Sequence, residues 1–190
     1  SVPMNLGEAL GKDFVFDHKS VSGEKNKTYS YTFTEEYPYR LSTGFAACCK
    51  ENGEYSGDKN SDMILSNGMH MLAICDGMGT GRKAGAQSGR VLDMLEEMLN
   101  CGYDETEAID MINSILVLDE SDEIFTALDL FLFDLNKGVG EFVKAGASPS
   151  FIKRGNKAEV INYDTLPVGI LEETHIKKGL KKFQKGDLIY

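Results

Sequence analysis

The central hydrophobic pattern of the chain is an apolar run that ends on an acid and a glycine-rich loop. Met69–Cys75 is largely apolar, Asp76 follows it, and three glycines occur between positions 77 and 81. A short apolar run is typical of a buried strand, and helical spacing of apolar residues begins after the glycines. The pattern predicts a strand, a flexible loop and a helix start, which together often hold a metal ion or a phosphate at the edge of a sheet.

Helical periodicity is concentrated in one block after this loop. It predicts a helix over Gly81–Asn100, with a left-handed stop at Gly102. A second helix is predicted to open with the capping sequence Asp104–Glu107. The first turns of the leading helix, positions 84–89, are rich in small residues, which allow close approach to a neighbouring sheet. A short helix is also predicted within Ser1–Gly11.

Alternating apolar and polar positions predict strands on both sides of the helices. Asp13–His18 and Thr28–Thr34 indicate a hairpin, and Arg40–Lys50 indicates a long strand. Asn67-Gly68 is typical of a two-residue hairpin turn. The other predicted strands are Met63–Leu65, Met69–Cys75, Ile124–Leu135, Val139–Ala145, Ser150–Arg154, Ala158–Asn162, His175–Phe183 and Asp187–Tyr190. Strands, two adjacent helices and strands again predict an α+β fold with two packed, mostly antiparallel sheets.

The composition narrows the function classes. With 190 residues, of which 42% are apolar, the chain is long enough for a full core, and its net charge of −10 disfavours nucleic-acid binding. No apolar run reaches the ~20 residues that a membrane-spanning helix needs, and the N-terminus lacks a signal-peptide pattern. Four cysteines without C-x-x-C spacing indicate reduced thiols. We therefore expect a cytoplasmic domain with no nucleic-acid partner and no membrane contact.

The glycine-rich loop allows a phosphate-binding interpretation. Gly79–Ala84 fits the pattern G-x-G-x-x-A that follows a strand in dinucleotide-binding folds. Those folds also need a second, parallel strand with an acid at its end about 20 residues later, whereas here the helix leads into another helix. The P-loop pattern fails because Ala84 follows Arg82-Lys83. A dinucleotide site is therefore the weaker interpretation.

A carboxylate metal site is the stronger interpretation of the same loop. The Asn67-Gly68 turn folds the chain back, so that Asp58 and Asp76 can meet at one edge of two antiparallel strands. Carboxylate and carbonyl oxygens suit Mg²⁺ or Mn²⁺, and glycine at position 77 leaves its carbonyl accessible. Both aspartates also fit ordinary turn positions, and Asp62 is a nearby substitute for Asp58.

Two motifs carry a family resemblance. Ser56-Gly57-Asp58 and Asp76-Gly77-Met78-Gly79, whose aspartates are 18 positions apart, resemble the metal-dependent protein phosphatase superfamily of the protein phosphatase 2C type. Further stretches are similar to its bacterial sporulation branch, the phosphatase domain of the stage II sporulation protein E family. These stretches are Arg40–Gly44, Asn113–Leu116, Thr126–Leu130, Ser148–Gly155, Leu166–Ile170 and Lys185–Leu188.

The resemblance implies an αββα sandwich of two mostly antiparallel sheets with helices on the outer faces, and a centre of two Mn²⁺ or Mg²⁺ ions between the sheets. Asp58, Asp76 and the Gly77 carbonyl would be metal ligands. A water bridging the ions would attack phosphoserine or phosphothreonine without a covalent enzyme intermediate. Arg82 and Arg40 are candidates to bind the substrate phosphate, although Arg82 also suits a solvated surface charge and Arg40 a strand-edge ion pair.

The resemblance also implies a partner and a cellular context. The expected substrate is a phosphorylated anti-anti-sigma factor, whose dephosphorylation activates a sporulation sigma factor. The two helices between Gly81 and Leu118, called the switch helices here, are expected to move to complete the metal site and to form a homodimer interface. The parent protein in the family is membrane-anchored, with this domain on the cytoplasmic side.

The expected domain organisation is a single phosphatase domain over 1–190, with a lead-in hairpin over 1–39 and a family-matching core over 40–190. In the family, the strand with Gly186-Asp187-Leu188 runs into a second Asp-Gly motif that supplies a further ligand. The chain is therefore expected to be C-terminally truncated, with an incomplete metal centre. Lys59 also replaces the small residue that usually follows the first aspartate. Both departures keep a second function open, a phosphatase-fold module that binds a regulatory partner without turnover.

Overall fold

The computed structural model of the chain describes residues 2–22, 28–47, 57–77, 82–118 and 125–190. Ser56, the loop at 78–81 and the end of the predicted strand at 48–50 lie outside these ranges. The chain divides into two units, Ser1–Arg40 and Leu41–Tyr190. The predicted lead-in over 1–39 ends next to this boundary, and the assignment of one phosphatase domain to the whole chain stays a prediction. No helix in the described ranges is long and apolar enough to cross a membrane.

The described residues of the first unit form a helix and a hairpin. Helix α1 spans Val2–Leu10, and strands β1 (Phe14–Ser22) and β2 (Thr28–Glu35) pair antiparallel, as predicted. Phe16 and Phe33 are register partners whose rings meet edge to face, with centroids 5.9 Å apart. This cross-strand aromatic pair stabilises the hairpin.

Two antiparallel sheets organise the second unit. Its described strands are β3 (Asp58–Ile64), β4 (Met69–Gly77), β5 (Thr126–Asp134), β6 (Val139–Ala145), β7 (Ser150–Arg154), β8 (Lys157–Ile161), β9 (Lys177–Lys182) and β10 (Leu188–Ile189). The larger sheet has the order β3-β4-β5-β6-β9, and the smaller one has the order β10-β7-β8. Between β3 and β4, Gly68 has φ 81°, a conformation that favours glycine. The predicted turn is confirmed in its position, but its length is wrong. Leu65 pairs with Met69, so the loop has three residues, Ser66, Asn67 and Gly68, instead of two.

Two helices cover one face of the larger sheet. Helix α2 spans Arg82–Asn100 and helix α3 spans Glu105–Leu118, close to the predicted bounds. The Thr106 N–H donates to Asp104 Oδ1 at 2.8 Å, and the Asp104 N–H donates to Glu107 Oε2 at 3.3 Å, which completes the predicted capping box. The helices share a buried core with β4, β5 and β6. Its members include Met71, Ala73, Cys75, Val91, Leu95, Ile109, Ile112, Leu128, Leu130 and Val143.

The opposite face of the larger sheet packs against the smaller sheet. Lys144 is fully buried there, and its Nζ lies 2.5 Å from Asp129 Oδ2 and 2.8 Å from Ser150 Oγ. Because Ser150 belongs to β7, this polar cluster joins the two sheets. Asp129 thus has the hydrogen-bonded structural role that its place in an apolar strand predicts. The predicted α+β sandwich is confirmed, and both described helices of this unit lie on the same outer face.

The predicted strand Arg40–Lys50 is wrong where it is described, because residues 41–47 form no strand. The Thr43 hydroxyl donates a hydrogen bond to the Asp62 carboxylate, and Leu41 and Phe45 line a cavity of about 310 Å³ between the sheets. The alternation in this segment therefore reflects side-chain contacts with the sheets, without the backbone ladder that defines a strand.

Candidate metal centre

Asp58 and Asp76 are direct partners across the β3–β4 pair. Asp58 is the first residue of β3 and Asp76 is the last but one of β4, and both side chains are exposed. Directly opposed residues on antiparallel strands share one face, with Cβ atoms about 4.5–5.5 Å apart. Strand β3 begins well before the predicted Met63–Leu65, because its polar residues form an edge strand that lacks an apolar run. The structure thus brings the two predicted aspartates together.

The aspartate pair lies on the face that is turned away from α2 and α3. Cys75 and Gly77, which flank Asp76, are buried on the helix side. Ile74, which has the same parity as Asp76, lines the cavity between the sheets. The pair therefore lies on the inner face of the sandwich, at one end of the larger sheet.

The donor set of this pair fits a hard divalent cation. Like charges directly opposite each other destabilise a strand pair, and a cation between them would remove that repulsion. Mg²⁺ keeps several of its waters and takes one or two protein carboxylates. Within the described ranges no group of three or more His, Cys, Asp or Glu side chains comes together. Asp58 and Asp76 would therefore supply carboxylate oxygens to such a cation, and the remaining ligands would come from waters or backbone carbonyls.

Gly77 lies in direct contact with the first turns of α2. A Cβ atom on Gly77 would be 2.5 Å from Ser88 Oγ and 2.8 Å from the Ala84 carbonyl oxygen. Real Cβ atoms do not approach so closely, so this position needs glycine. The small residues at the start of α2 therefore permit the close approach that the sequence predicts, and they bring the helix against the strand that carries Asp76.

Thr126 contacts the backbone of the candidate centre, a role that the sequence analysis does not predict. The Thr126 hydroxyl donates to the Asp76 carbonyl oxygen at 2.8 Å, and Thr126 is the register partner of Gly77. Thr126 is 1% exposed. A hydroxyl residue at the start of a long apolar strand is the signal that could have indicated it, because buried hydroxyls need hydrogen-bond partners.

Asp62 is not a substitute for Asp58 in this arrangement. Its register partner is Leu72, and its carboxylate contacts His70 Nε2 at 2.6 Å and the Thr43 hydroxyl. Burial raises the pKa of Asp62, but the hydrogen bonds with His70 and Thr43 outweigh burial and hold this pKa below its usual range. Asp62 is therefore engaged in a separate polar cluster.

Lys59 does not face the aspartate pair. It is exposed, and its register partner is Cys75 rather than Asp76. Successive residues of a strand point to opposite faces, so the Lys59 side chain leaves the sheet on the side away from Asp58. The position of this lysine gives no reason for weak cation binding.

The two arginines predicted to bind the substrate phosphate are not placed at the site by the described residues. Arg82 is the first residue of α2, and its side chain lies outside the described part of the structure. Arg40 is exposed and ends the first unit. Both assignments stay predictions. The dinucleotide-binding interpretation is wrong, because β4 pairs with β5 antiparallel and α2 leads directly into α3.

Comparison with known sequences confirms the family resemblance. The sequence profile described as "Stage II sporulation protein E (SpoIIE)" matches residues 66–190. The chain is 37% identical over 184 residues to stage II sporulation protein E of Bacillus subtilis (strain 168), which covers 97% of this chain and 22% of that protein. It is 38% identical over 184 residues to stage II sporulation protein E of Priestia megaterium, with 97% of this chain and 32% of that protein covered.

A solved structure shows the same fold. It contains the PP2C phosphatase domain and a fragment of the regulatory domain of SpoIIE from Bacillus subtilis. The match has a TM-score of 0.74 and 37% sequence identity, and it covers 99% of this chain and 56% of that one. The chain spans less than a third of the length of the curated relatives that it matches. The chain therefore belongs to the stage II sporulation protein E family and has the fold of a PP2C phosphatase domain.

Proposed function

We propose that this chain is the phosphatase part of a metal-dependent enzyme that hydrolyses phosphoserine or phosphothreonine on a regulatory protein. The observation that carries the proposal is the register pair Asp58 and Asp76 at the inner face of the sandwich, next to Gly77. Two carboxylates in this position, on a phosphatase fold, suit hydrolysis by an activated water better than nucleophilic catalysis by a side chain.

The proposed ligands are the carboxylates of Asp58 and Asp76 and the carbonyl of Gly77. Two bound Mn²⁺ or Mg²⁺ ions would supply a water of lowered pKa and would neutralise charge on the phosphoryl group. The protein fixes the ligand geometry through the β3–β4 ladder, and the contact between Gly77 and α2 keeps the strand end in place. Arg82 and Arg40 remain the proposed contacts of the substrate phosphate.

The proposed substrate class follows from the family. By resemblance it is a phosphorylated anti-anti-sigma factor, and its dephosphorylation would activate a sporulation sigma factor. A homodimer through the switch helices, α2 and α3, and a cytoplasmic position of this domain belong to the same proposal. The sequence identity to the sporulation relatives supports the sporulation context; the partner, the homodimer and the location rest on the family resemblance alone.

The test is Mn²⁺-dependent release of phosphate from a phosphoserine protein by the full-length protein. We expect Asp58→Asn and Asp76→Asn each to abolish the metal-dependent rate. Asp62→Asn is the matched control, because it removes a carboxylate from the same strand while leaving the register pair intact. Retention of full activity by Asp76→Asn would contradict the proposal.

A second function, partner binding without turnover, is favoured by one observation. Within the described ranges only two carboxylates meet at the candidate centre, without a third acidic or histidine ligand. This function predicts that the full-length protein binds the phosphorylated partner and releases no phosphate at any Mn²⁺ or Mg²⁺ concentration. A measured metal-dependent rate would reject it.

A further inference from the structure

A buried asparagine of α3 binds a turn that lies far away in the sequence. Asn113 is 2% exposed, and its Nδ2 donates to the carbonyl oxygens of Leu171 at 2.9 Å and Glu172 at 3.2 Å. Its Oδ1 accepts from the Gly169 N–H at 2.7 Å. An amide side chain offers two N–H donors and an acceptor oxygen at one end. A buried amide with partners at each group is typical of a residue that fixes a loop.

The same turn is joined to the start of β5. Val168 and Thr126 exchange two backbone hydrogen bonds, each 3.1 Å long, outside the main sheets. Both residues are buried, at 2% and 1% exposure. The turn that Asn113 holds is therefore bonded directly to the first residue of β5, which pairs with Gly77 on its other side.

Thr126 then reaches the candidate centre. Its hydroxyl donates to the Asp76 carbonyl oxygen at 2.8 Å, and this oxygen belongs to the peptide between Asp76 and Gly77. Glycine has the most permissive backbone, and Gly77 is the last residue of β4. A hydrogen bond to this peptide limits its rotation, and rotation there would move both the Asp76 carboxylate and the Gly77 carbonyl.

We propose that Asn113 and Thr126 are positioning residues for the metal centre, connected through the Val168–Glu172 turn, and that they set its affinity for the cation. The inference rests on the proposed function, because it assumes that Asp76 and Gly77 bind a metal ion. Partners that orient metal ligands typically contribute about 10- to 100-fold to metal affinity.

The test measures the dissociation constant for Mn²⁺ in the full-length protein, from the electron paramagnetic resonance signal of free Mn²⁺. Thr126→Val keeps the shape of the side chain and removes the hydroxyl, and we expect it to raise the dissociation constant at least about 10-fold. Thr126→Ser retains the hydroxyl and should restore an affinity close to that of the wild type. Asn113→Ala should weaken binding in the same direction.

The matched control is Thr165→Val. The Thr165 hydroxyl accepts from the Gly146 N–H at 2.9 Å, next to the same turn, but it does not lie between Asn113 and Asp76. We expect Thr165→Val to lower the thermal midpoint and to leave the Mn²⁺ dissociation constant unchanged. A purely structural role of Thr126 would give the same result for Thr126→Val, with a lower midpoint and unchanged affinity, and that result would overturn the inference.

The double variant Asn113→Ala/Thr126→Val tests the connection between the two residues. If Asn113 acts on the metal centre only through Thr126, the double variant should bind Mn²⁺ as tightly as the single variant with the lower Mn²⁺ affinity. Additive losses would overturn the connection. If Asn113→Ala fails to fold, the comparison of Thr126→Val with Thr126→Ser decides the inference alone.

The proposed function and this inference fail in different ways. Absence of Mn²⁺ binding by the wild type would reject the proposed metal centre. Mn²⁺ binding by the wild type, lost in Asp76→Asn and unchanged in Thr126→Val, would reject the positioning role and leave the proposed function intact.

Discussion

The Ser88 hydroxyl of α2 lies against Gly77 of β4, where a Cβ atom on the glycine would be 2.5 Å from Ser88 Oγ. Ser88 is fully buried, and its hydroxyl has no hydrogen-bond partner in the part of the chain that the structure describes. Helix α2 therefore packs closely against β4, and the Ser88 hydroxyl at this contact has no hydrogen-bond partner among the described residues. This combination makes α2 sensitive to single-atom changes at the contact.

Replacing Ser88 by alanine should stabilise the protein. The change removes a buried hydroxyl that lacks a partner, and such a group costs about 1–3 kcal/mol when it is left unsatisfied. We expect the free energy of unfolding in urea to rise or stay equal. Ser61→Ala is the matched control with the opposite sign, because the Ser61 hydroxyl is bonded to Glu96 and its loss should lower stability. A destabilised Ser88→Ala would show that this hydroxyl has a partner in solution.

Replacing Gly77 by alanine should push α2 away from β4. The new Cβ would overlap both Ser88 Oγ and the Ala84 carbonyl oxygen, and overpacking of this kind costs about 1–3 kcal/mol. Urea unfolding should show this loss, together with weaker Mn²⁺ binding. Gly89→Ala is the control, because a Cβ at Gly89 meets nothing within 4 Å. That substitution in a helix should stabilise the protein by about 0.5–1 kcal/mol.

Replacing Lys144 by methionine should be strongly destabilising. Lys144 is fully buried, and the change would leave the Asp129 carboxylate without its cation, at a cost of about 3–5 kcal/mol. The measurement is the denaturant midpoint at constant m-value. Lys181→Met removes an ion pair with Glu159 at a partly exposed position, where the expected loss is only about 0–1 kcal/mol. Equal effects of the two variants would contradict the burial argument.

The polar cluster around Asp62 predicts a pH dependence of stability. Burial raises the pKa of Asp62, but the hydrogen bonds with His70 and Thr43 lower it by more than burial raises it. The pKa in the folded state therefore lies below its usual value of 3.8. The contribution of a carboxyl with a lowered pKa is present above the unfolded pKa. It is lost as the pH falls through the folded pKa. Asp62→Asn should therefore reduce the stability at pH 7 and flatten its decline below about pH 4.

The control for this prediction is His70→Gln, which removes one partner of the carboxylate. In that background Asp62→Asn should have a smaller effect at pH 7. An unchanged pH profile in Asp62→Asn would show that other carboxyl groups dominate the acid transition.

Metal addition and removal should change the thermal midpoint. A ligand that binds only the folded state at 100 times its dissociation constant stabilises by about 2.7 kcal/mol. We therefore expect Mn²⁺ to raise the midpoint of the full-length protein and EDTA to reverse the rise. Asp76→Asn should remove the response, and Asp62→Asn should keep it. A response that persists in the Asp58→Asn/Asp76→Asn variant would place the ion elsewhere.

The sequence predicts those parts of the fold that depend on local signals. The two central helices follow from apolar spacing, from the Gly102 stop, which has φ 90°, and from the Asp104 cap. The Asn67-Gly68 signal predicts that β3 and β4 form a hairpin with Asp58 and Asp76 at the same end. A two-residue turn there would place Asp58 opposite Gly77, whereas the three-residue loop at 66–68 places it opposite Asp76. The closeness of the two aspartates is therefore predictable from the sequence, but their direct opposition is not.

The sequence does not predict contacts between distant segments. Asn113 is 56 positions from Gly169, and Thr126 is 50 positions from Asp76. Their partners are backbone groups, which carry no residue-specific signal. The segment at 41–47 was wrongly predicted as a strand for a related reason. Its alternation fits a strand, but the structure uses it to line a cavity and to bond Asp62 through Thr43.

The Asn67-Gly68 turn makes the candidate centre sensitive to changes in chain length as well as in side chains. The turn is fixed by a hydrogen bond from the Gly68 N–H to the Leu65 carbonyl oxygen at 2.9 Å and one from the Met69 N–H to Asn67 Oδ1 at 3.0 Å. Inserting or deleting one residue there would shift β3 against β4, so that Asp58 would no longer oppose Asp76. Surface turns usually tolerate such insertions, but this one, at the far end of the hairpin, would be as intolerant of them as an active-site loop.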